Sequence, residues 1–404
     1  MDLLHPQRLA RFALVICLLA VADRHCDGDK TPRNINRDTS ASLGPTDKPP
    51  TNCTTAPPQT IYGITIEDTE SPEQIINTVN RVRQGTRKEV AVRVVIDPEH
   101  DLGDEQFKTR LAALKSAGVK VMALLGDSHD LYRFGSGSDF NPTDVSRYRR
   151  RVQKALATFG ESVDIWEIGN EVNGEWSGWK EKERKDATQD WEKVSPEKRA
   201  RRRQWVYNQI KAAYDVLQPA DKCMAITFYY NDDHQGHSCW PKPQDLSDGS
   251  AYEMVNWASE YFTDKEMRDH IKYVFISYYE NTECGKLLSG DDEVDAGRFA
   301  GVLGMLSEKF TNADLGFGEF GPECDYPEGC PQETVGAKDR WCNRCAGDIK
   351  RFIPRYYKSY HELISSRMRT PKYVGGYFYW YGLQDMIPSN TSAVDELINA
   401  LSTH

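Results

Sequence analysis

A basic excess is missing from this sequence: 51 Lys and Arg stand against 61 Asp and Glu, for a formal net charge of −10. Such a balance argues against binding a phosphate backbone. The one basic run, Arg199 to Arg203 with Ala200 interposed, falls in a helical pattern and reads as a solvated helix face, so no nucleic-acid partner is expected. Long apolar runs are missing too. The stretch "FALVICLLAVA" near the N-terminus is too short to span a bilayer, which argues against stable membrane insertion. No G-x-G-x-x-G turn follows the first strand-like run, which disfavours a doubly wound nucleotide-binding sheet. No His-x-His pair marks that run and no other convergent ligand set is visible, so neither a metal nor a cofactor is expected.

Arg8 and Arg11 precede the N-terminal apolar run, and Ala20-Val21-Ala22 fits a small-residue cleavage site. Residues 1–22 are therefore expected to be a signal peptide and the protein to be secreted. Residues 23–58, rich in Thr, Pro, Asp and Asn, read as a disordered linker, and 59–404 as the folded domain. Sequons occur at Asn52-Cys53-Thr54 and Asn390-Thr391-Ser392. Of the ten cysteines, Cys17 would leave with the signal. The odd number remaining leaves one free or paired between chains, and Cys26 is the candidate. Cys324, Cys330, Cys342 and Cys345 end in a C-x-x-C pair that could hold zinc, but an oxidising compartment favours disulfides stapling a long loop. Their connectivity stays open.

From residue 60 onward, short β-branched or aromatic runs alternate with helical stretches. The runs are 61–66, 90–96, 119–125, 163–169, 223–230, 273–279, 315–321 and 373–381. Ser71-Pro72, Asn141-Pro142 and Ser195-Pro196 look like helix starts, and Gly118 and Gly160 look like helix ends. Eight such units in a 404-residue chain with 39% hydrophobic residues predict an α/β fold, a single (β/α)8 TIM barrel with extended loops at its C-terminal face.

On that face the chemistry should gather where strands end. The fourth run closes on Asn170-Glu171, and the seventh, "GFGEFGPE", carries Glu319. Two carboxylates meeting across a barrel mouth are the equipment of glycoside hydrolysis: one protonates the departing oxygen, and the other attacks or activates water. The two need opposite surroundings. Arg93 in the second run and a tyrosine of the sixth, Tyr278 or Tyr279, could hold Glu319 ionised.

"WEIGNE", "GFGEFG" and "GGYFYWYGLQD", with the Arg of "VAVRVVID", together resemble clan A glycoside hydrolases, retaining (β/α)8 glycosidases that include cellulases and mannanases. The resemblance covers the chain from about residue 60 to its end. It implies Glu171 as acid/base, Asn170 as ligand of the sugar 2-hydroxyl, Glu319 as nucleophile, Tyr278 as its hydrogen-bond partner and Trp380 as the floor of the cleaved subsite. Cellulase-like members often carry histidines after strands three and five; here the candidates are His129 and the pair Tyr229-Tyr230.

Trp176, Trp179, Trp240 and Trp341 occur in loop stretches, where they either stack on sugar rings or pack the loops; Trp176 is taken as a substrate-binding candidate. The expected activity is retaining hydrolysis of β-glycosidic bonds in a polysaccharide or oligosaccharide, endo-acting by preference. The rival of another class is a secreted carbohydrate-binding barrel without catalysis.

Overall fold

The computed structural model describes residues 60–67, 71–134, 143–174, 177–179, 194–230, 253–281, 291–323, 352–368, 372–380 and 386–403. Eight parallel strands close a barrel in chain order: β1 (Ile61–Glu67), β2 (Val90–Val95), β3 (Lys120–Leu124), β4 (Ile165–Gly169), β5 (Met224–Tyr229), β6 (Ile271–Asn281), β7 (Asp314–Glu323) and β8 (Tyr373–Tyr379). Each of the eight apolar runs becomes one strand, and β8 pairs back onto β1 through Ile61↔Gly375 and Ile64↔Tyr379. The helices between them are α1 (Pro72–Thr86), α2 (Glu105–Ser116), α3 (Ser146–Phe159), α4 (Pro196–Leu217), α5 (Glu253–Tyr261), α6 (Lys265–His270), α7 (Asp292–Lys309), α8 (His361–Arg367, continuing a π-helical turn at Arg355–Tyr360) and α9 (Ser392–Ser402).

Capping explains several starts. Ser195 Oγ accepts the Lys198 N–H at the head of α4, and Asp104, Asp264 and Asp291 do the same for α2, α6 and α7. Ser71 precedes Pro72 without a side-chain cap, so α1 begins on the preset φ of proline alone. Gly118 follows α2 with φ +73°, but Gly160 after α3 is right-handed. Asn141-Pro142 lies outside the described residues, and α3 itself starts at Ser146.

Strand side chains alternate between the barrel interior and the helical shell. Ile61, Ala91, Met122, Ile165, Ala225, Phe275, Val374 and Phe378 form one buried cluster, the floor of the barrel. Val92, Val94, Val121, Ile168, Ile226, Val274 and Ile276 point outward and join the larger core beneath the helices. Two residues beyond Ala91, Ile165, Ala225 and Phe275, the same inward face carries Arg93, Glu167, Thr227 and Ser277, all buried. The interior is thus apolar below and polar toward the strand ends.

Two irregularities set that polar face. Between Ile276↔Phe317 and Ser277↔Glu319 the β6–β7 register shifts, so Gly318 is an extra residue in β7. Phe317 and Phe320 both remain in the outer core, and Glu319 turns inward. A Cβ on Gly318 would stand 2.4 Å from Thr227 Oγ1, which is why this position takes glycine. In β8, Gly375 and Gly376 adopt φ +79° and +80°, and a Cβ on Gly376 would reach within 2.3 Å of the Phe317 carbonyl oxygen.

Of the ten cysteines, Cys223 is the one among the described residues, so the expected staples at Cys324, Cys330, Cys342 and Cys345 fall outside them, as do the expected signal peptide at 1–22 and the expected linker at 23–58. Among the described residues no helix is long and apolar enough to cross a membrane.

Candidate active site

The lowest polar element of the barrel is an ion pair. Arg93 Nε donates to Glu167 Oε2 at 2.7 Å and Nη2 to Oε1 at 3.2 Å, with both side chains fully buried. Thr227 Oγ1 donates to the same Oε1 at 2.6 Å. A buried charge must be paired, and Glu167 neutralises Arg93 while fixing its plane. The remaining arm of the guanidinium, Nη1, lies 3.2 Å from Glu319 Oε2. Trp380 closes this corner, with Arg93 Cζ 5.7 Å from its ring centre.

Glu171 follows β4 with only Asn170 between and has φ +46°, a left-handed conformation that costs an ordinary residue about 1–2 kcal/mol. The loop is bound down around it. The Asn173 side chain brackets β5, its Nδ2 donating to the Tyr229 carbonyl at 2.9 Å and its Oδ1 accepting the Tyr229 N–H at 2.7 Å. Gly174 N donates to the Glu171 carbonyl at 2.9 Å, and Arg202 of α4 donates to the carbonyls of Gly174 (2.9 Å) and Ser177. Arg202 is wholly buried and stands 5.6 Å from the ring centre of Trp179, which is 1% exposed. This corrects the expectation for the basic run. Arg201 is exposed, but Arg202 one residue on points under the β4 loop, and Trp179 is packing.

Glu171 Oε1 accepts from Ser277 Oγ at 2.7 Å, and Oε2 lies 3.3 Å from Ser128 Oγ. Glu319 is held differently. Its Oε2 accepts from Asn170 Nδ2 at 3.1 Å and faces Arg93, and its Oε1 accepts from the Tyr279 hydroxyl. The Asn170 amide also donates to Asp127 Oδ1 at 3.3 Å, and Ser128 Oγ lies 3.1 Å from that same oxygen. Because Nδ2 faces two carboxylates, the amide orientation is fixed, and Asn170 Oδ1 is a buried acceptor with no hydrogen-bond partner.

Burial raises both carboxyl groups above the usual carboxylate range. Glu319 is pushed up to about 7, with Asp127 and Glu167 adding to the rise and Arg93 and Tyr279 opposing it. Glu171 is pushed well above its ordinary value, by burial first and then by the charges of Glu319 and Asp127, against Ser277 and Arg93. A guanidinium, an amide N–H and a phenol favour ionised Glu319. Glu171 has hydroxyls alone.

The structure therefore brings together Arg93, Asn170, Glu171, Glu319 and Trp380 from the sequence candidates. Tyr278 does not join them. It alternates outward with Val274 and Ile276 and packs on Tyr230 (5.2 Å) and Phe299 (5.1 Å), while Ser277 and Tyr279 share the inner face. Trp176 lies outside the described residues, as do Trp240 and Trp341. Asp127, Ser128, Glu167, Thr227 and Ser277 escaped the sequence reading. Two-residue spacing from an apolar inward residue could have found Glu167, Thr227 and Ser277. Asp127 and Ser128 lie past the end of β3, where alternation stops. Among the described residues no group of three or more His, Cys, Asp or Glu is placed to hold a metal ion.

No protein-family model matches the chain, and no curated protein matches it in sequence. Solved structures match it in fold. A GH5-4 broad specificity endoglucanase from an uncultured bacterium superposes with a TM-score of 0.52 at 11% identity, over 87% of this chain and 96% of that one. The GH1 beta-glucosidase from Exiguobacterium antarcticum B7 does so with a TM-score of 0.51 at 14% identity, over 87% and 99%. The likeness is one of fold: this chain is a (β/α)8 barrel of the kind that these glycosidases use.

Proposed function

We propose that the protein is a secreted retaining glycoside hydrolase that cleaves β-glycosidic bonds, acting within a polysaccharide or long oligosaccharide. One observation carries this reading: two buried carboxylates at the ends of β4 and β7 have opposite hydrogen-bonding environments, one donor-rich and beside a guanidinium, the other not. The names of the two fold neighbours, an endoglucanase and a beta-glucosidase, agree with it.

In the first step Glu319 Oε attacks the anomeric carbon as the bond to the leaving oxygen breaks, and Glu171 gives that oxygen its proton. A glycosyl ester on Glu319 results. In the second step Glu171 takes a proton from water, the water oxygen attacks the anomeric carbon, and Glu319 leaves as a carboxylate. Asn170 Oδ1 accepts from the sugar 2-hydroxyl, and Trp380 forms the floor of the subsite. Such chemistry places the two carboxyl groups about 5–5.5 Å apart.

The test separates the glutamates. Glu319→Ala should lose turnover on every substrate, whereas the first-step penalty of Glu171→Ala should shrink for aryl glycosides whose leaving groups need little protonation. Azide should give a β-glycosyl azide with Glu171→Ala and an α-glycosyl azide with Glu319→Ala. Near-parent activity in both variants would overturn the assignment. Product analysis on mannan, glucan, xylan and galactan identifies the substrate and distinguishes internal from terminal cleavage.

A further inference from the structure

One oxygen of Asp127 joins the hydrogen-bond partners of both glutamates. Oδ1 lies 3.1 Å from Ser128 Oγ and 3.3 Å from Asn170 Nδ2; Ser128 Oγ is 3.3 Å from Glu171 Oε2, and Asn170 Nδ2 is 3.1 Å from Glu319 Oε2. All five side chains are buried. We propose that Asp127 is a positioning residue that, through Ser128 and Asn170, biases the single proton of the catalytic pair toward Glu171 and away from Glu319. This deepens the glycosidase reading and rests on it.

A serine hydroxyl has one hydrogen and two lone pairs. Ser128 stands between two carboxyl groups, and the nearer contact, to Asp127 Oδ1, takes its hydrogen. Ser128 then offers Glu171 Oε2 a lone pair, which is a hydrogen bond only if Oε2 carries a proton. On the other side, Asp127 and Glu319 each take one of the two Nδ2 hydrogens of Asn170. Glu319 therefore meets a donor, which favours its charged form. One fixed anion makes its first neighbour an acceptor toward Glu171 and its second a donor toward Glu319. Transfer of Glu171's proton to the leaving oxygen does not break this arrangement, because Ser128 can turn its hydrogen to the new carboxylate until water returns the proton.

The other groups facing the pair do not make this distinction. Ser277 of β6 donates to Glu171, Tyr279 of β6 and Arg93 of β2 favour ionised Glu319, and Glu167 of β4 is taken up by Arg93. None of these links the two glutamates through both an acceptor and a donor. The charge of Asp127 disfavours ionisation of both glutamates, consistent with the raised values of both.

The test is a 13C NMR titration of protein labelled at the glutamate δ-carbon, with the Glu171 and Glu319 signals identified by their loss in Glu171→Gln and Glu319→Gln. In the parent, Glu319 should ionise at lower pH than Glu171. Asp127→Asn keeps the shape and removes the charge; the Glu171 midpoint should fall by about one pH unit, and the alkaline limb of kcat/KM should move with it. Ser128→Ala should lower the Glu171 midpoint and leave that of Glu319 in place, which separates the hydroxyl relay from simple charge. If Asp127→Asn does not fold, Ser128→Ala alone decides. A Glu171 midpoint unmoved in the folded variants would overturn the proposal. The titration needs no turnover, so loss of the glycosidase reading, shown by active Glu171→Ala and Glu319→Ala, is a separate outcome.

Discussion

Two adjacent tyrosines show how much depends on the face a residue occupies. Tyr279 donates to Glu319, whereas Tyr278 packs edge-on against Tyr230 and Phe299 in the outer core. A hydrogen bond to a charged group contributes about 1.5–3 kcal/mol. Tyr279→Phe should therefore lower kcat/KM by roughly 10- to 100-fold, and Tyr278→Phe should leave it nearly unchanged; steady-state kinetics on one aryl glycoside checks both. Glu319 also has a signature in stability. Its carboxyl is raised to about 7 in the fold from an ordinary 4.5, so between those values the folded state holds more protons than the unfolded one. The contribution is fully present below the unfolded value and is lost as pH rises through the folded one. Glu319→Gln should accordingly melt above the parent at pH 8 and lose that advantage at pH 4, as calorimetry at the two pH values would show. An advantage of equal size at both would mean that the carboxyl is not raised.

At the scale of elements, the site depends on irregularities in otherwise regular pieces. The Gly318 bulge turns Glu319 inward, and Gly318→Ala would drive a methyl into Thr227 and through it disturb the Glu167–Arg93 pair. The expected cost is about 1–3 kcal/mol of stability, with a larger proportional loss of activity, read from urea unfolding and kcat/KM on the same preparation. Arg202 plays the corresponding part under the β4 loop. Arg202→Met keeps much of the packing but takes its donor from the Ser177 carbonyl, at about 1–3 kcal/mol, while the Gly174 carbonyl keeps the Ser177 N–H at 3.0 Å. If the Glu171 turn depends on this clamp, kcat should fall while α4 stays folded. These features also mark where the sequence stops being legible. Eight apolar runs became eight strands because period and composition agree there, and Asn170, Glu171 and Glu319 could be read because they interrupt such runs. The burial of Arg202 could not be read, because its neighbours Arg201 and Arg203 present the same charge and the partner is a backbone carbonyl. The choice between Tyr278 and Tyr279 was legible in the alternation of Val274, Ile276 and Ser277, but resemblance pointed to the wrong face. Asp127 lies beyond a strand end, where no period remains to place it.

For the whole molecule, the barrel interior poses a question of purpose. Its lower part is closed by apolar residues such as Phe275 and Phe378, 6.0 Å apart between ring centres, as a barrel that only had to fold would be throughout. The upper part instead holds Arg93 and Glu167 away from water, although replacing a buried ion pair with apolar residues is often neutral or stabilising by about 1–4 kcal/mol. On the function proposed above the pair serves the chemistry: Glu167 fixes the guanidinium, and its remaining arm meets Glu319. A double-mutant cycle can separate these roles. Arg93→Met leaves Glu167 buried without its cation, and Glu167→Leu leaves Arg93 with Glu319 alone; each should lose about 3–5 kcal/mol. The double variant should recover most of that loss, because each change removes the other's unpaired partner, giving strongly non-additive urea unfolding energies. Activity should be absent or severely reduced in all three, since none positions a cation beside Glu319. A double variant as unstable as the sum of the singles would mean that Arg93 and Glu167 contribute to stability independently of their pairing, and an active double variant would mean that Glu319 needs no cation.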